Sequence, residues 1–103
     1  MSKASFIAEL LKNGQTIERH KESGNSMLPI IKSNQPVTLV PVTEETELTE
    51  HDIVFCKVKG KYYIHKILKI RENQYQIGNN RGYINGWVTR EKIYGKVTKI
   101  WDK

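Results

Sequence analysis

Two β-forming segments joined by a glycine turn constrain the fold of this chain of 103 residues more than any other feature. Residues 53–58 and 62–68 are rich in β-branched and aromatic side chains, and Gly60 lies between them. This pattern is typical of an antiparallel hairpin. Alternation along the second segment puts Tyr63, His65, Ile67 and Lys69 on one face, and Tyr62, Ile64, Lys66 and Leu68 on the other. Each candidate side chain of this strand is thereby assigned to one face of a sheet.

The remaining segments predict more strands and a single helix. Residues 3–12 have helical spacing, with Ser2 or Ser5 as the N-cap and Gly14 as the stop. The apolar positions of this helix are Phe6, Ile7, Leu10 and Leu11. We predict one domain over residues 1–103, mainly β with one short N-terminal helix. Residues 1–14 hold the helix, and residues 15–103 form the β-rich core.

Further strands are predicted at residues 16–20, 37–40, 74–77 and 93–101. In the last of these, alternation places Ile93, Val97 and Trp101 on one face. Residues 78–82 and the pair Asn85-Gly86 have the composition of turns.

Composition excludes several classes of protein. Cys56 is the single cysteine, so no disulfide can form within the chain. The apolar run at residues 6–8 is far too short to span a membrane. We therefore expect a soluble, cytoplasmic protein that does not engage a membrane.

The net charge of +6 makes nucleic acid a partner to consider. Lys57, Lys59 and Lys61 come nearest to a basic cluster, but alternating lysines are typical of the solvated face of one strand. Nucleic acid is therefore not the favoured partner.

Residues 22–29 read Glu-Ser-Gly-Asn-Ser-Met-Leu-Pro and place Ser26 between a glycine and a proline. Gly24 permits backbone angles that other residues avoid, and Pro29 fixes the direction of the chain after the turn. Such a turn can present the Ser26 hydroxyl and its own N–H to one point, as a nucleophile requires. An ordinary surface turn has the same composition and stays open as the alternative.

His65 is the candidate base for Ser26, because neutral imidazole within about 3 Å could take the serine proton. Lys66 is the alternative base, but it faces the other side of the strand, so only one of the two can point at Ser26. A structural histidine is the competing interpretation of His65. Cys56 paired with His65 is disfavoured as a nucleophile, because a cysteine in a strand of this kind is usually an inert core residue.

No metal or cofactor is predicted. His20, His51 and Cys56 lack metal-ligand spacing, and the glycines at 78, 82 and 86 lack the Lys-Ser/Thr of a phosphate-binding loop.

Six segments, in order, resemble the signal peptidase superfamily, which includes type I signal peptidases and the self-cleaving domains of SOS-response repressors. They are Gly24-Asn25-Ser26-Met27-Leu28-Pro29, Pro36-Val37-Thr38-Leu39-Val40, His51-Asp52-Ile53-Val54-Phe55, Tyr63-Ile64-His65-Lys66-Ile67, Ile77-Gly78-Asn79-Asn80 and Ile93-Tyr94-Gly95-Lys96-Val97. The resemblance covers about residues 15–101.

The resemblance implies a β-rich peptidase fold in which Ser26 is the nucleophile and its N–H is part of the oxyanion hole. It places His65 at the position of the general base. Bacterial relatives have a lysine at this position, whereas the relatives that use a Ser–His pair have a histidine. The candidates for oxyanion or orienting roles are Ser23, Gly24, Asn25, Asn79, Asn80 and Asn85.

Several departures from the family pattern limit what is carried over. Histidine-type relatives add an aspartate, but no Asp or Glu occurs between Asn73 and Arg90. Gly24 replaces the residue that supplies a side-chain oxyanion donor in bacterial signal peptidases, and Ser23 is displaced from it by one. His51 stands where the third segment usually has a glycine. Self-cleaving relatives are cut at an Ala-Gly or Cys-Gly pair upstream of the serine. Residues 1–25 contain no such pair, so self-cleavage is not expected.

The sequence thus predicts a small soluble serine endopeptidase of phage or mobile-element type, which cleaves a peptide or protein in trans with a Ser26–His65 dyad. The alternative is a weak or inactive member that binds a peptide or protein partner along the same groove. Family analogy also allows a homodimer through the last strand.

Overall fold

The computed structural model describes residues 2–102, and it is organised around one antiparallel sheet of seven strands. The elements are α1 (Lys3–Lys12), β1 (Ile17–His20), β2 (Val37–Pro41), β3 (Ile53–Val58), β4 (Lys61–Arg71), β5 (Gln74–Gly78), β6 (Ile84–Thr89), a 3₁₀ turn (Arg90–Lys92) and β7 (Ile93–Ile100). The strands lie in the order β1-β2-β7-β3-β4-β5-β6. The predicted mainly β fold with one short N-terminal helix is confirmed. Among residues 2–102, no helix is long and apolar enough to span a bilayer.

The predicted hairpin is β3–β4, and its turn is set by two residues with positive φ. Lys59 has φ +50° and Gly60 has φ +84°, and Val58 pairs directly with Lys61. Two central residues with positive φ match the twist of the flanking strands, as in a type I′ turn. Lys57, Lys59 and Lys61 therefore surround the tip of a hairpin, and the expectation that they share one strand face is wrong.

Helix α1 covers one face of the sheet. Ser2, not Ser5, is the N-cap, since its Oγ accepts a hydrogen bond from the Ser5 N–H at 3.1 Å. Ile7, Ala8 and Leu11 are buried, whereas Phe6 is 52% exposed and lies outside the core. Because β3 alternates, the covered face holds Phe55 and the opposite face holds Val54 and Cys56, which gives two apolar clusters.

Two bulges in β7 overturn the predicted alignment of Ile93, Val97 and Trp101. Phe55 and Cys56 pair with Gly95 and Ile93, so one residue of β7 is left over between them. A second irregularity follows where β7 pairs with β2. Each bulge switches the face on which later side chains lie. Ile93 therefore packs in the cluster with Val54, Val97 packs against the cluster with Phe55, and Trp101 lies beyond the strand.

The predicted turn at Asn85-Gly86 is instead part of strand β6. Ile77 pairs with Gly86 and Gly78 pairs with Ile84, so Asn85 is the extra residue of a β-bulge. Gly86 has φ +145°, which explains why turn-type residues stand within a strand. A bulge re-aims a side chain, and this one directs Asn85 toward β4.

His51 has φ +77°, in the region that glycine adopts most readily. Its N–H donates to the Ile67 carbonyl at 2.7 Å, which holds the backbone in that conformation. His51→Gly should raise the free energy of unfolding by about 0.5–1 kcal/mol, since the relieved strain exceeds the added flexibility of the unfolded chain. Urea unfolding measures this. Thr49→Gly, at an exposed position without positive φ, is the control and should destabilise. A loss of stability in His51→Gly would contradict the strain argument.

Candidate active site

The Ser26 turn lies in the irregular segment between β1 and β2. Gly24 has φ +119°, and its N–H donates to the Ser33 hydroxyl at 3.0 Å. A Cβ built at Gly24 would contact nothing within 4 Å, so glycine is required there by the backbone angle and not by space. Since its N–H is already committed, Gly24 shapes the turn and does not serve as an oxyanion donor. Met27, which follows Ser26, is buried and anchors the turn to the core.

Asn80 clamps the backbone on both sides of the serine. Its N–H donates to the Ser26 carbonyl at 3.0 Å, and its Nδ2 donates to the Leu28 carbonyl at 3.0 Å. Lys66 Nζ in turn donates to Asn80 Oδ1 at 2.8 Å. Lys66 lies on the face of β4 opposite to His65, and it supports the Ser26 turn through this bond to Asn80.

The structure brings Ser26 and His65 together. The Ser26 Oγ lies 3.2 Å from His65 Nε2, which is hydrogen-bond distance for a hydroxyl and an imidazole. His65 is only 5% exposed, and the ring of Tyr63, two residues earlier on the same strand face, stacks on it at 4.7 Å between centroids. The backbone of β4 and this stacking hold the imidazole in place against Ser26.

Asn85 fixes the second nitrogen of the ring. His65 Nδ1 lies 2.7 Å from Asn85 Oδ1, and Asn85 is 7% exposed. An amide oxygen can only accept, so Nδ1 carries the proton and Nε2 presents its lone pair to the Ser26 hydroxyl. This tautomer is the one that a general base needs. The sequence leaves open whether Asn79 or Asn85 contacts the imidazole. The bulge in β6 brings Asn85 to His65 Nδ1.

The protonation of His65 is set mainly by its burial, which lowers the pKa of the imidazole below its usual value of 6.5. The hydrogen bond with Asn85 and the negative charge of Glu22 act in the opposite direction. Because the pKa is lowered, His65 is neutral at pH 7 and can accept a proton.

Three more residues, Asn79, Asn25 and Ser23, were candidates for oxyanion or orienting roles. Asn79 Oδ1 accepts hydrogen bonds from the N–H groups of Arg81 (2.8 Å) and Tyr83 (3.1 Å), so this side chain caps a turn and does not orient the imidazole. The Asn25 carbonyl accepts from the Leu28 N–H at 3.3 Å, and the Asn25 side chain is exposed. Ser23 lines the same cleft as Ser26 and His65. Ser23 therefore remains a candidate donor, and Asn25 is part of the turn itself.

The cleft around the Ser26–His65 pair has a volume of about 380 Å³. A smaller one of about 40 Å³ adjoins it, and Glu22, Ser23, Ser26 and Ile64 line both. Glu22 was missed by sequence reasoning, which sought an acid only in the asparagine-rich segment after Asn73. Tyr63 was placed on the correct face, and the period-two pattern was enough to identify it as a neighbour of His65.

The remaining nucleophile and metal candidates are not assembled into a site. Cys56 is fully buried, and burial raises the pKa of its thiol to about 12, so the reactive thiolate is absent at neutral pH. His20 Nε2 lies 3.4 Å from a Glu22 carboxylate oxygen. Among residues 2–102, no three His, Cys, Asp or Glu side chains are grouped as metal ligands would be.

Comparison with protein-family models gives no match to this chain, and comparison with curated proteins gives none either. The resemblance to the signal peptidase superfamily therefore stays a prediction, and the function is argued from the geometry of the site.

Proposed function

We propose that this chain is a serine endopeptidase of the signal-peptidase type that cleaves a peptide or protein in trans. The observation that carries the proposal is the hydrogen-bonded series Ser26–His65–Asn85, with distances of 3.2 Å and 2.7 Å. Nucleophile, base and orienting group are the three parts that acyl transfer by serine requires. The order of the six sequence segments supports the same conclusion. The proposal includes a cytoplasmic location, which fits a chain whose one cysteine is unpaired.

In the proposed reaction, Ser26 Oγ attacks the carbonyl carbon of the scissile bond while His65 Nε2 takes the hydroxyl proton. The Ser26 N–H and the Ser23 hydroxyl are the candidate donors for the oxyanion. The imidazolium then gives its proton to the leaving amine, which leaves Ser26 acylated. Water, deprotonated by His65, hydrolyses this ester and restores the serine. Asn85 holds the ring through both steps, but it stabilises the imidazolium less than a carboxylate would.

A fluorophosphonate probe tests the proposal without knowledge of the substrate. Intact-mass measurement should find one covalent label on the native chain and none on Ser26→Ala. Ser23→Ala is the matched control, because it removes the neighbouring hydroxyl in the same cleft but keeps the nucleophile. It should still be labelled, at a lower rate if the Ser23 hydroxyl donates to the oxyanion. Absence of Ser26-dependent labelling at every pH at which the protein is folded would contradict a peptidase function.

A second candidate function is a weak or inactive module that binds an extended peptide. The observation that favours it is Asn85, an uncharged group at the position where the resemblance leads one to expect an aspartate. If Ser26→Ala kept the full biological activity of the protein and changes that block the cleft removed it, this function would replace the first.

A further inference from the structure

Two more clefts continue from the Ser26–His65 cleft across the tip of the β3–β4 hairpin. The first, of about 200 Å³, shares Tyr63, Tyr83 and Asn85 with the Ser26–His65 cleft, and Lys59 and Lys61 line it. The second, of about 490 Å³, shares Lys59 with the first. Both lie between β6 and the hairpin turn, so they form one path away from the nucleophile, which we term the lysine path.

The lysine path is uniformly positive. Lys57, Lys59, Lys61 and Lys92 line it, and within residues 2–102 no Asp or Glu does. None of these four lysines forms an ion pair with another described residue. At the opposite end, Glu22 lines the Ser26–His65 cleft and is its one acidic residue in the described chain. Positive charge is therefore concentrated in the lysine path, and the one acidic side chain lies in the cleft beside the nucleophile.

The lysine path also suits an extended ligand. Strand β6 ends the sheet order, so its outer edge has no strand partner among the described residues. Tyr83, Ile84 and Trp87 on or beside this strand are exposed large side chains, and Trp87 lines the outer cleft. Free edge groups can bind the backbone of an extended peptide, and aromatic rings can pack against its side chains.

We propose that the substrate of the Ser26–His65 site carries an acidic segment on one side of the scissile bond, and that this segment docks in extended form along the lysine path. The proposal rests on the peptidase function proposed above. Charge complementarity selects the acidic peptide, since four lysines without ion-pair partners line the path and no described Asp or Glu lies among them. A peptide is favoured over nucleic acid because the path opens directly onto a pair of groups suited to attack a carbonyl.

Binding to the full chain carrying Ser26→Ala tests the inference apart from catalysis. Fluorescein-labelled peptides that alternate Glu with Ala, Gln with Ala, or Lys with Ala are compared by anisotropy at low and physiological ionic strength. We expect the Glu peptide to bind at least about tenfold more tightly than the Gln peptide, with the difference reduced by salt. Lys59→Glu with Lys61→Glu should abolish this preference.

The matched control for the charge reversal is Lys3→Glu with Lys69→Glu, which changes the net charge equally at exposed positions outside the path. If both double variants lost the preference for the Glu peptide equally, net charge alone would explain it and the proposal would be overturned. Equal affinity for the Glu and Gln peptides, or no binding of either, would also overturn it. A labelled oligothymidine is measured in parallel. Tighter binding of this strand than of the Glu peptide, lost on reversal of Lys59 and Lys61, would assign the path to nucleic acid instead.

Fluorophosphonate labelling of the Lys59→Glu/Lys61→Glu variant, with Ser26 intact, separates the two proposals. The label needs Ser26 and His65 but not the lysines, so its absence from both the native chain and this variant contradicts the peptidase function alone. The peptide preference is decided by anisotropy alone.

Discussion

His65→Gln will lower the rate of fluorophosphonate labelling of Ser26 at neutral pH by about 10²–10⁴-fold. Glutamine is of similar size but cannot accept the serine proton, and a positioned general base contributes a rate factor of that order. Below neutral pH, labelling of the native chain should fall as His65 becomes protonated. The midpoint should lie under 6.5, because burial lowers the pKa of this imidazole. Rate constants measured by intact mass across pH give both results.

Lys66→Met is the matched control for the base. It leaves His65 in place and removes the bond from Lys66 Nζ to Asn80 Oδ1, so the Ser26 turn loses support but the base remains. Labelling should persist with a loss of about tenfold, the lower end of the effect of one charge-assisted hydrogen bond, because this bond supports the turn and does not touch the reacting atoms. Abolished labelling in Lys66→Met, together with an alkaline midpoint in the native chain, would make Lys66 the base.

Asn85→Asp will accelerate the Ser26 reaction and move the midpoint of its pH profile upward. The substituted carboxylate can accept the same bond from His65 Nδ1–H at 2.7 Å, and its charge stabilises the imidazolium. In serine proteases, the reverse change costs roughly 10⁴ in rate, partly through the wrong tautomer. Here Asn85 already holds the productive tautomer, so we expect a smaller gain, on the order of tenfold.

Asn79→Asp provides the comparison for this gain. It adds the same charge beside the same cleft and keeps the oxygen that accepts from Arg81 and Tyr83, but it makes no bond to the imidazole. An equal acceleration in both variants would show that the added negative charge acts through the electrostatic potential of the cleft and not through a bond to His65. A slower reaction in a folded Asn85→Asp protein would contradict the orienting role of Asn85.

Local patterns were sufficient to predict the hairpin strand that carries His65 and Lys66. The hairpin around Gly60 follows from β-forming residues and turn chemistry, and period-two alternation put His65 and Lys66 on opposite faces. Both features depend only on neighbours in sequence, so they can be inferred without knowledge of the rest of the fold.

What the sequence could not give depends on strand register. Asn85 reaches His65 because β6 bulges against β5, yet Asn85-Gly86 has the same composition as a turn. The faces of β7 change at bulges that leave no mark in its pattern of apolar residues. Glu22 approaches the site from an irregular segment, whose path follows from tertiary contacts such as the bond from the Asn34 N–H to the Glu22 carbonyl. Contacts between residues distant in sequence decide each case, and alternation alone does not identify them.

The connection between β5 and β6 has a consequence for how this site can vary. Asn80, before the tip of that connection, sets the position of the serine backbone, and Asn85, after it, sets the tautomer of the histidine. A single residue inserted or deleted between Asn80 and Asn85 would shift both the contact with the Ser26 backbone and the bond to the imidazole. The exposed tip residue Arg81, by contrast, contributes only backbone to this arrangement. Variation that preserves the site can therefore change the side chain at Arg81, but it must keep the length of the connection.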